Sequence, residues 1–277
     1  MVLLREPYSF VGCKPLTTPS NDGTFRPVKS ALRTLEILTT VSRESDGMTF
    51  ADIERKMGWP RSSTYNLLQT LSEAEFLKYD DVDRHYRVGI RLWEAGQGFS
   101  GKNDLARVAK RFLENSKSQL NETVQLAILD GIENVYVAKV EANHHLKLVS
   151  EVGSRLPAHA TGLGKALLAG LSPEELRRRF ENVEMFAYTE NTITNIAELE
   201  ESLNVVCRQG YAVDESEFTK GVYCVAVPIR DVSGEVVAAI SSSVPDARID
   251  GALRRKMVEI LRDNARQLSE ILGYQGS

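Results

Sequence analysis

The sequence predicts an α+β protein with two domains: a small helical domain that ends in a β-hairpin, and a larger domain with an antiparallel sheet flanked by helices. Two short helical patterns meet at a Gly-Trp-Pro turn at residues 58–60, and a hairpin pattern follows them. In the second half, strand patterns joined by short turns are interspersed with helical patterns. With 277 residues, the chain is long enough to bury two cores.

The N-terminal domain is predicted to begin with three helices. Ser30 would cap the first helix, Thr49 the second, and the turn at 58–60 separates the second helix from a third that starts near Arg61. The inward stripe of the first helix is predicted to be Leu32, Leu35, Leu38 and Val41. Residues 1–26 contain several Pro and Gly residues and little periodicity, so we expect a loose arm there.

The third helix presents side chains suited to DNA. Its apolar stripe runs from Thr64 to Leu71 and leaves hydrogen-bonding groups on the other side, where a helix that needed only solubility would usually carry Glu and Lys. Hydroxyl, amide and guanidinium groups match phosphates and base edges. The candidate DNA contacts on this helix are Arg61, Ser62, Ser63, Tyr65, Asn66 and Gln69.

Two strand patterns follow the third helix, at 76–79 and 85–88, around a polar tip at 80–84. A hairpin in this position is a wing, and it adds Arg84 and Arg87 to the candidate DNA contacts. We therefore predict a winged helix-turn-helix domain at 27–88 that binds double-stranded operator DNA. The alternative is an ordinary helical hairpin followed by a β-hairpin.

Charge and cysteine content narrow the class of protein. Residues 1–100 contain 13 Lys and Arg against 13 Asp and Glu, so DNA affinity would come from a few placed cations rather than from a broad positive field. The three cysteines are too few and too scattered for a disulfide framework or a structural zinc site, which favours a reducing cytoplasm. No run approaches the ~20 apolar residues of a membrane helix.

An apolar helical pattern at 90–95 and a glycine-rich segment at 96–103 follow the wing. We interpret 89–103 as a linker helix that ends in a connector, and 104–277 as the second domain. The apolar face of the linker helix either supports dimerisation or covers the core of its own domain.

The second domain is predicted to hold about six strands, at 124–129, 135–140, 146–152, 211–215, 222–228 and 235–243. Helices are predicted to start near 105, 162, 172, 195 and 249. Short turns between strand pairs favour an antiparallel sheet over a doubly wound parallel one.

A loop that begins at Gly153 brings small residues to the start of the helix at 162. The amides of Gly162 and Leu163 would be free donors at the positive end of that helix, which is a suitable place for a carboxylate. The run at 162–165, Gly-Leu-Gly-Lys, is not a phosphate-binding loop, because Ala166 follows the lysine where Ser or Thr is required. No cofactor is therefore predicted.

Ser241 and Ser243 share one face of a strand that otherwise consists of Val, Ala and Ile. Buried hydroxyls need partners, and Cys224 and Asp214 on preceding strands would line the same pocket. The alternative is that the serines merely fill a tight sheet interior.

The same residue types invite an enzymatic interpretation. Cys224 or Ser241, with His159 and Asp214, would supply a nucleophile, a base and an orienting acid, so a cysteine or serine hydrolase is the competing function. No nucleophile elbow surrounds either nucleophile. His144 and His145 are adjacent, and neighbouring residues on a strand point oppositely, so they would chelate a metal poorly. We predict no catalytic residues and no metal site.

Long runs in the second half resemble two motifs of the IclR family of bacterial transcriptional regulators. The first is Gly-Ser-Arg-Leu-Pro-Ala-His-Ala-Thr-Gly-Leu-Gly-Lys-Ala-Leu-Leu-Ala at 153–169, and the second combines Gly-Tyr-Ala-Val-Asp at 210–214 with Gly-Val-Tyr-Cys-Val-Ala at 221–226. The resemblance extends over 27–271. It implies a winged helix-turn-helix, a linker helix and a GAF-like effector-binding domain, assembled as a dimer or a dimer of dimers.

The resemblance also implies residue roles. The effector carboxylate would meet Gly162 and Leu163. The pocket wall would comprise Asp214, Cys224, Ser241 and Ser243. This chain departs from the family at Asn66, where Arg or Lys is frequent, and at Val244, where glycine is common.

These features predict a cytoplasmic, ligand-responsive DNA-binding regulator. We expect it to repress a catabolic operon and to respond to a small carboxylic or oxo acid. Its expected partners are operator DNA, the small-molecule effector and further copies of itself, with no membrane involved.

Overall fold

The computed structural model describes residues 28–102, 105–143 and 151–275, with the backbone alone described at 97–102. The predicted arm at 1–26 and the pair His144-His145 lie outside the described residues. The chain divides into two compact units, Met1–Asp104 and Leu105–Ser277. No helix in the described ranges is long and apolar enough to cross a membrane.

The first unit combines helices with a small antiparallel sheet. Its helices are α1 (Lys29–Val41), α2 (Phe50–Met57), α3 (Arg61–Glu73) and α4 (Ile90–Lys102). Its strands are β1 (Met48–Thr49), β2 (Leu77–Asp80) and β3 (His85–Val88), in the order β1-β3-β2. The short strand β1 was not predicted, because two residues carry no periodicity; its pairing with β3 ties the start of α2 to the wing.

Local capping explains the ends of α2. The Thr49 hydroxyl accepts a hydrogen bond from the Asp52 amide at 3.2 Å, and Gly58 ends the helix in the left-handed region at φ 64°. The predicted start and stripe of α1 were partly wrong, since the helix begins before Ser30 and Leu35 is 50% exposed. Because α1 packs against α3 and β3, Ile37 enters the core instead.

Helix α4 continues to Lys102, through the glycine-rich segment. The helix lies within the range 89–103 that was interpreted as a linker helix. Each glycine lowers helix stability by about 1 kcal/mol relative to alanine but keeps its backbone donor, and no proline interrupts the segment.

The second unit is built on a six-stranded antiparallel sheet, which confirms the predicted fold class. Its strands are β4 (Thr123–Asp130), β5 (Glu133–Val140), β6 (Arg155–Pro157), β7 (Ala212–Glu215), β8 (Val222–Arg230) and β9 (Val236–Pro245), in the order β6-β5-β4-β9-β8-β7. Most of the strand predicted at 146–152 lies outside the described residues, and 151–152 form no strand. The short strand β6 was not predicted.

Helices cover both faces of this sheet. They are α5 (Leu105–Leu120), α6 (Gly162–Leu168), α7 (Pro173–Phe180), α8 (Ile196–Gln209) and α9 (Gly251–Ile271). Helices α5 and α9 pack on one face against large apolar side chains such as Ile240 and Val225. Helix α6 packs on the other face, where Ala127, Ala226 and Ala239 allow a close approach. Strand alternation places Ser241 and Ser243 on this α6 face.

Candidate nucleic-acid interface and ligand site

The outer surface of α3 carries the predicted DNA-contacting side chains. Thr64, Leu68 and Leu71 face the core. On the other side, Ser63 is half-buried, and the exposed side chains are Arg61, Ser62, Tyr65, Asn66 and Gln69. This surface offers hydroxyl, amide and guanidinium groups on a helix that follows a tight turn.

Arg61 is held in place by two contacts with α2. Its Nη1 lies 3.0 Å from Glu54 Oε2, and its guanidinium lies 4.8 Å from the centre of the Phe50 ring. The side chain remains largely exposed, so it can exchange the Glu54 carboxylate for a phosphate oxygen. The Tyr65 ring packs edge-on against the same Phe50.

The two wing arginines differ in their surroundings. Arg84 is exposed at the tip, in the left-handed region at φ 59°. Arg87 is bonded to the Asp83 carboxylate and lies 3.6 Å from Asp80 Oδ2. The hydrogen bond from Arg87 is the main cause that lowers the pKa of Asp83 to about 2. A phosphate would therefore have to compete with two wing carboxylates for Arg87.

Arg33 was not predicted as part of this surface. From α1, its Nη1 donates to Ser63 Oγ at 3.2 Å, and its guanidinium lies 4.7 Å from the centre of the Trp59 ring. The hydrogen bond joins residues that are 30 positions apart, and the ring contact is also distant in sequence, so no local pattern indicates either of them. Arg33 orients Ser63 at the start of α3.

The candidate ligand site lies where α6 begins. Thr161 caps the helix, since its Oγ1 accepts from the Gly164 amide at 3.1 Å and donates to Asn134 Oδ1 at 2.7 Å. The amides of Gly162 and Leu163 occupy the first turn, where an N–H has no carbonyl partner within the helix. A Cβ built on Gly162 would lie 3.5 Å from the Cβ atoms of both Asp214 and Cys224.

The strand register brings the predicted pocket residues together. Ser243 pairs with Cys224, and Cys224 pairs with Asp214, so the three residues form one row across β9, β8 and β7. Cys224 Sγ lies 2.9 Å from Ser243 Oγ. Ser241 lies two residues before Ser243 on the same face, and its buried hydroxyl has no hydrogen-bond partner within the described part of the chain.

Asp214 has an unusual electrostatic environment. Burial raises the pKa of Asp214 to about 7. The Glu217 amide donates a hydrogen bond to Asp214 Oδ1 at 2.7 Å, and this hydrogen bond opposes the shift. Lys165 of α6 forms a buried ion pair with Glu217 beside it. The pairing of Lys165 and Glu217 was not predicted, although a lysine inside a run of small residues is a visible signal for a buried charge.

The structure does not assemble the hydrolase that the sequence left open. His159 Nε2 contacts the Phe186 carbonyl at 3.2 Å, and its ring packs against Phe180 and Tyr188. The Cys224 thiol contacts Ser243 instead, and burial raises its pKa above the ordinary value, which opposes thiolate formation. In the ranges that the structure describes, no group of three or more His, Cys, Asp or Glu could hold a metal ion.

Two family models match the chain in order. The IclR helix-turn-helix domain matches residues 30–81, and the bacterial transcriptional regulator IclR C-terminal domain matches residues 98–270. The chain belongs to the IclR family of transcriptional regulators. As an IclR-family member it has a DNA-binding and an effector-binding domain, and it is a regulator rather than a hydrolase.

Relatives within the IclR family cover almost the whole chain. The HTH-type transcriptional regulator XynR of Escherichia coli K12 is 34% identical over 247 residues, which are 89% of this chain and 98% of XynR. The HTH-type transcriptional repressor AllR of the same strain is 32% identical over 243 residues, which are 88% of this chain and 90% of AllR. A crystal structure of an IclR homologue from Microbacterium hydrocarbonoxydans, complexed with 4-hydroxybenzoate, superposes with a TM-score of 0.77 at 27% identity and covers 88% of this chain and 98% of that one.

Proposed function

We propose that this IclR-family regulator is a cytoplasmic repressor of a catabolic operon whose operator affinity is altered by a small carboxylic or oxo acid. The observation that carries the proposal is the buried, unpartnered hydroxyl of Ser241, which lies on the sheet face shared with Ser243, Cys224 and Asp214 in the described part of the chain. Two relatives support it: AllR is named a repressor, and the Microbacterium homologue holds 4-hydroxybenzoate, which is a carboxylic acid.

The pocket has a complementary group for each part of such a ligand. The amides of Gly162 and Leu163 and the hydroxyls of Ser241 and Ser243 donate to the carboxylate. An oxo or hydroxyl group next to the carboxylate meets the side chains on the strands opposite the helix, Asp214 and Cys224.

The DNA-binding role is assigned to α3 and the wing. Two copies of α3 in a dimer, or in a dimer of dimers, enter successive major grooves of a near-palindromic operator. Arg61 and Arg84 contact phosphates. Arg87 also contacts a phosphate, which replaces the wing carboxylates that pair with this arginine. Asn66 reads a base edge, because its amide can bond adenine with two hydrogen bonds. The remaining contacts come from Ser62, Ser63, Tyr65 and Gln69.

The effector changes operator affinity because it binds two arrangements of the dimer with different affinities. A ligand shifts an equilibrium only by the ratio of its affinities for the two states. The acid must therefore bind the DNA-competent and the DNA-free arrangements of the dimer unequally, and operator DNA must weaken the binding of a releasing acid by the same factor.

Replacement of both pocket serines tests the proposal. Operator-fragment binding is measured by gel shift with and without carboxylic acids, starting with 4-hydroxybenzoate and short oxo acids. We expect the Ser241→Ala, Ser243→Ala double variant to bind DNA normally and to lose its response to the acid that acts on the wild type.

Ser242→Ala is the matched control. Its hydroxyl is also buried and unpartnered among the described residues, but it lies on the opposite face of β9 and should retain the response. A double variant that still responds like the wild type contradicts the pocket assignment.

A further inference from the structure

Asp214 ends the row of polar side chains that the proposed ligand would cover. The row runs from Ser243 through Cys224 to Asp214, on strands that lie about 4.8 Å apart. A Cβ built on Gly162 would lie 3.5 Å from the Asp214 Cβ. An acid whose carboxylate is bonded to the Ser241 and Ser243 hydroxyls and to the Gly162 amide would therefore lie within roughly 6 Å of the Asp214 carboxyl group.

Water screens these two carboxyl groups only weakly from each other. Asp214 is 4% exposed, and Ser241 on the same sheet face is 1% exposed. At a separation of roughly 6 Å and an effective dielectric constant of about 20, the repulsion between two carboxylates favours protonation of one of them by about 100-fold.

The titratable groups that face Asp214 within the described ranges come from four parts of the second unit. They are Glu217 of the loop after β7, Lys165 of α6, Cys224 of β8 and Tyr136 of β5. Helix α8 also packs against β7, and it contributes the apolar Val206 to this core. The Lys165 ammonium is bonded to the Glu217 carboxylate, and both residues are buried.

These groups leave no full positive charge to balance an incoming carboxylate. Lys165 and Glu217 cancel each other. Burial raises the pKa of the Cys224 thiol and of the Tyr136 phenol, so both groups stay neutral. The first turn of α6 supplies at most about half a positive charge. If Asp214 stayed ionised, a bound acid would therefore place two uncompensated negative charges in a buried site.

We infer that the acid binds together with one proton, which the Asp214 carboxylate takes up from the solvent. The inference rests on the proposed function, since it takes the acid to occupy the row beside Ser241 and Ser243. The acid itself remains a carboxylate, and the proton bonds to a carboxylate oxygen of Asp214. The regulator then responds more strongly to the same concentration of acid as the pH falls.

The electrostatic environment of Asp214 makes this uptake measurable near neutral pH. Burial raises the pKa of Asp214 to about 7. Above that pH, the group is mostly charged before the acid binds and protonated afterwards, so the affinity for the acid falls as the pH rises. Below it, the group already holds its proton, so the affinity no longer changes.

Titration calorimetry on the full chain counts the protons. The probes are 4-hydroxybenzoate and 2-oxobutyrate, each titrated in Hepes and in Tris at about pH 8 and in Mes and in Bis-Tris at about pH 6. The two buffers of each pair differ in their enthalpy of ionisation. We expect their binding enthalpies to differ by the equivalent of nearly one proton at the higher pH and of almost none at the lower. The affinity should be about 10-fold lower at the higher pH.

Asp214→Asn should abolish the uptake. The asparagine Oδ1 can still accept the hydrogen bond from the Glu217 amide, so the variant keeps the turn after β7. We expect it to bind the acids with equal enthalpies in the two buffers of a pair and with equal affinities at the two pH values. Asp263→Asn is the matched control, because Asp263 is an exposed carboxylate on α9 that pairs with Arg266; it should keep the wild-type uptake.

The outcomes separate this inference from the proposed function. An acid that binds the wild type with equal enthalpies in Hepes and Tris, or with equal affinities at the two pH values, overturns the proton uptake and leaves the acid site standing. This measurement needs no variant to fold. Uptake that persists in Asp214→Asn overturns the assignment to Asp214. If neither acid binds the wild type, both proposals fail.

Discussion

Asp214 is a carboxyl group whose protonation depends on burial. It is 4% exposed, and burial is the largest of the causes that raise its pKa to about 7. The Glu217 carboxylate also raises this pKa, while Lys165 and two backbone amides lower it. At neutral pH the group is therefore divided between its protonated and its charged form.

This environment predicts a pH dependence of stability. An acid whose pKa is higher in the folded state than in the unfolded state holds its proton more tightly when folded. The contribution of Asp214 to the free energy of unfolding is thus fully present below about pH 4 and is lost as the pH rises to about 7. In this window, the stability of the wild type relative to Asp214→Asn should fall by up to about 1.4 kcal/mol per pH unit.

Urea unfolding of both proteins at a series of pH values measures this difference. Above the window, the difference between the two unfolding free energies should become constant. A difference that does not change across the window would show that Asp214 titrates normally.

Two glycines of α6 should respond differently to the same substitution. A Cβ on Gly164 would lie 2.2 Å from the Cα and the carbonyl oxygen of Ala158, so Gly164→Ala must displace backbone and should destabilise the protein by about 3 kcal/mol. A Cβ on Gly162 meets its nearest neighbours at 3.5 Å, so Gly162→Ala should fold with a stability within about 1 kcal/mol of the wild type.

The methyl group that Gly162→Ala introduces would nevertheless occupy the space in front of the helix amide. We expect Gly162→Ala to bind operator DNA normally and to lose the effector response, as measured by urea unfolding together with gel shift. Equal destabilisation of both variants, or an intact response in Gly162→Ala, would contradict the arrangement at the helix tip.

At the level of elements, α3 and the wing present few cations for DNA. Arg61 reaches the surface from the first turn of α3 and is supported by Phe50 and Glu54 of α2. Arg61→Ala should weaken operator binding about 10-fold and reduce the slope of log K against log salt by about 0.9 for each phosphate that the arginine neutralises.

Binding isotherms at several salt concentrations measure both quantities. Arg266→Ala is the control, because this exposed arginine lies on α9 and pairs with Asp263 and Glu270. An Arg61 variant with the salt slope of the wild type would exclude a phosphate interaction at this position.

The helix starts of the second unit illustrate what local signals predict well. Ser172 accepts a hydrogen bond from the Glu175 amide, and Asn195 accepts one from the Glu198 amide. Caps of this kind involve residues three positions apart, so the sequence displays them directly. Strand β6 has three residues and depends on its pairing with β5, and for that reason no local signal marks it.

For the whole molecule, two cores were predicted, and two compact units are observed. The antiparallel sheet followed from strand pairs with short turns, which leave no room for parallel crossovers. The strand order was not predictable in this way, because β4 pairs with β9 across more than a hundred residues. Such distant pairing depends on how the strands and the helices on both faces bury their side chains together.

The candidate ligand site was likewise predictable from the sequence only in part. Residue type and alternation were sufficient to place Ser241 and Ser243 on one face and to select Gly162, because side-chain direction has a fixed period in a strand and free amides belong to any helix start. Three-dimensional packing was required to set Cys224 against Ser243 and to place His159 in an aromatic cluster. These relations join distant parts of the chain, and only the folded core brings them within contact distance.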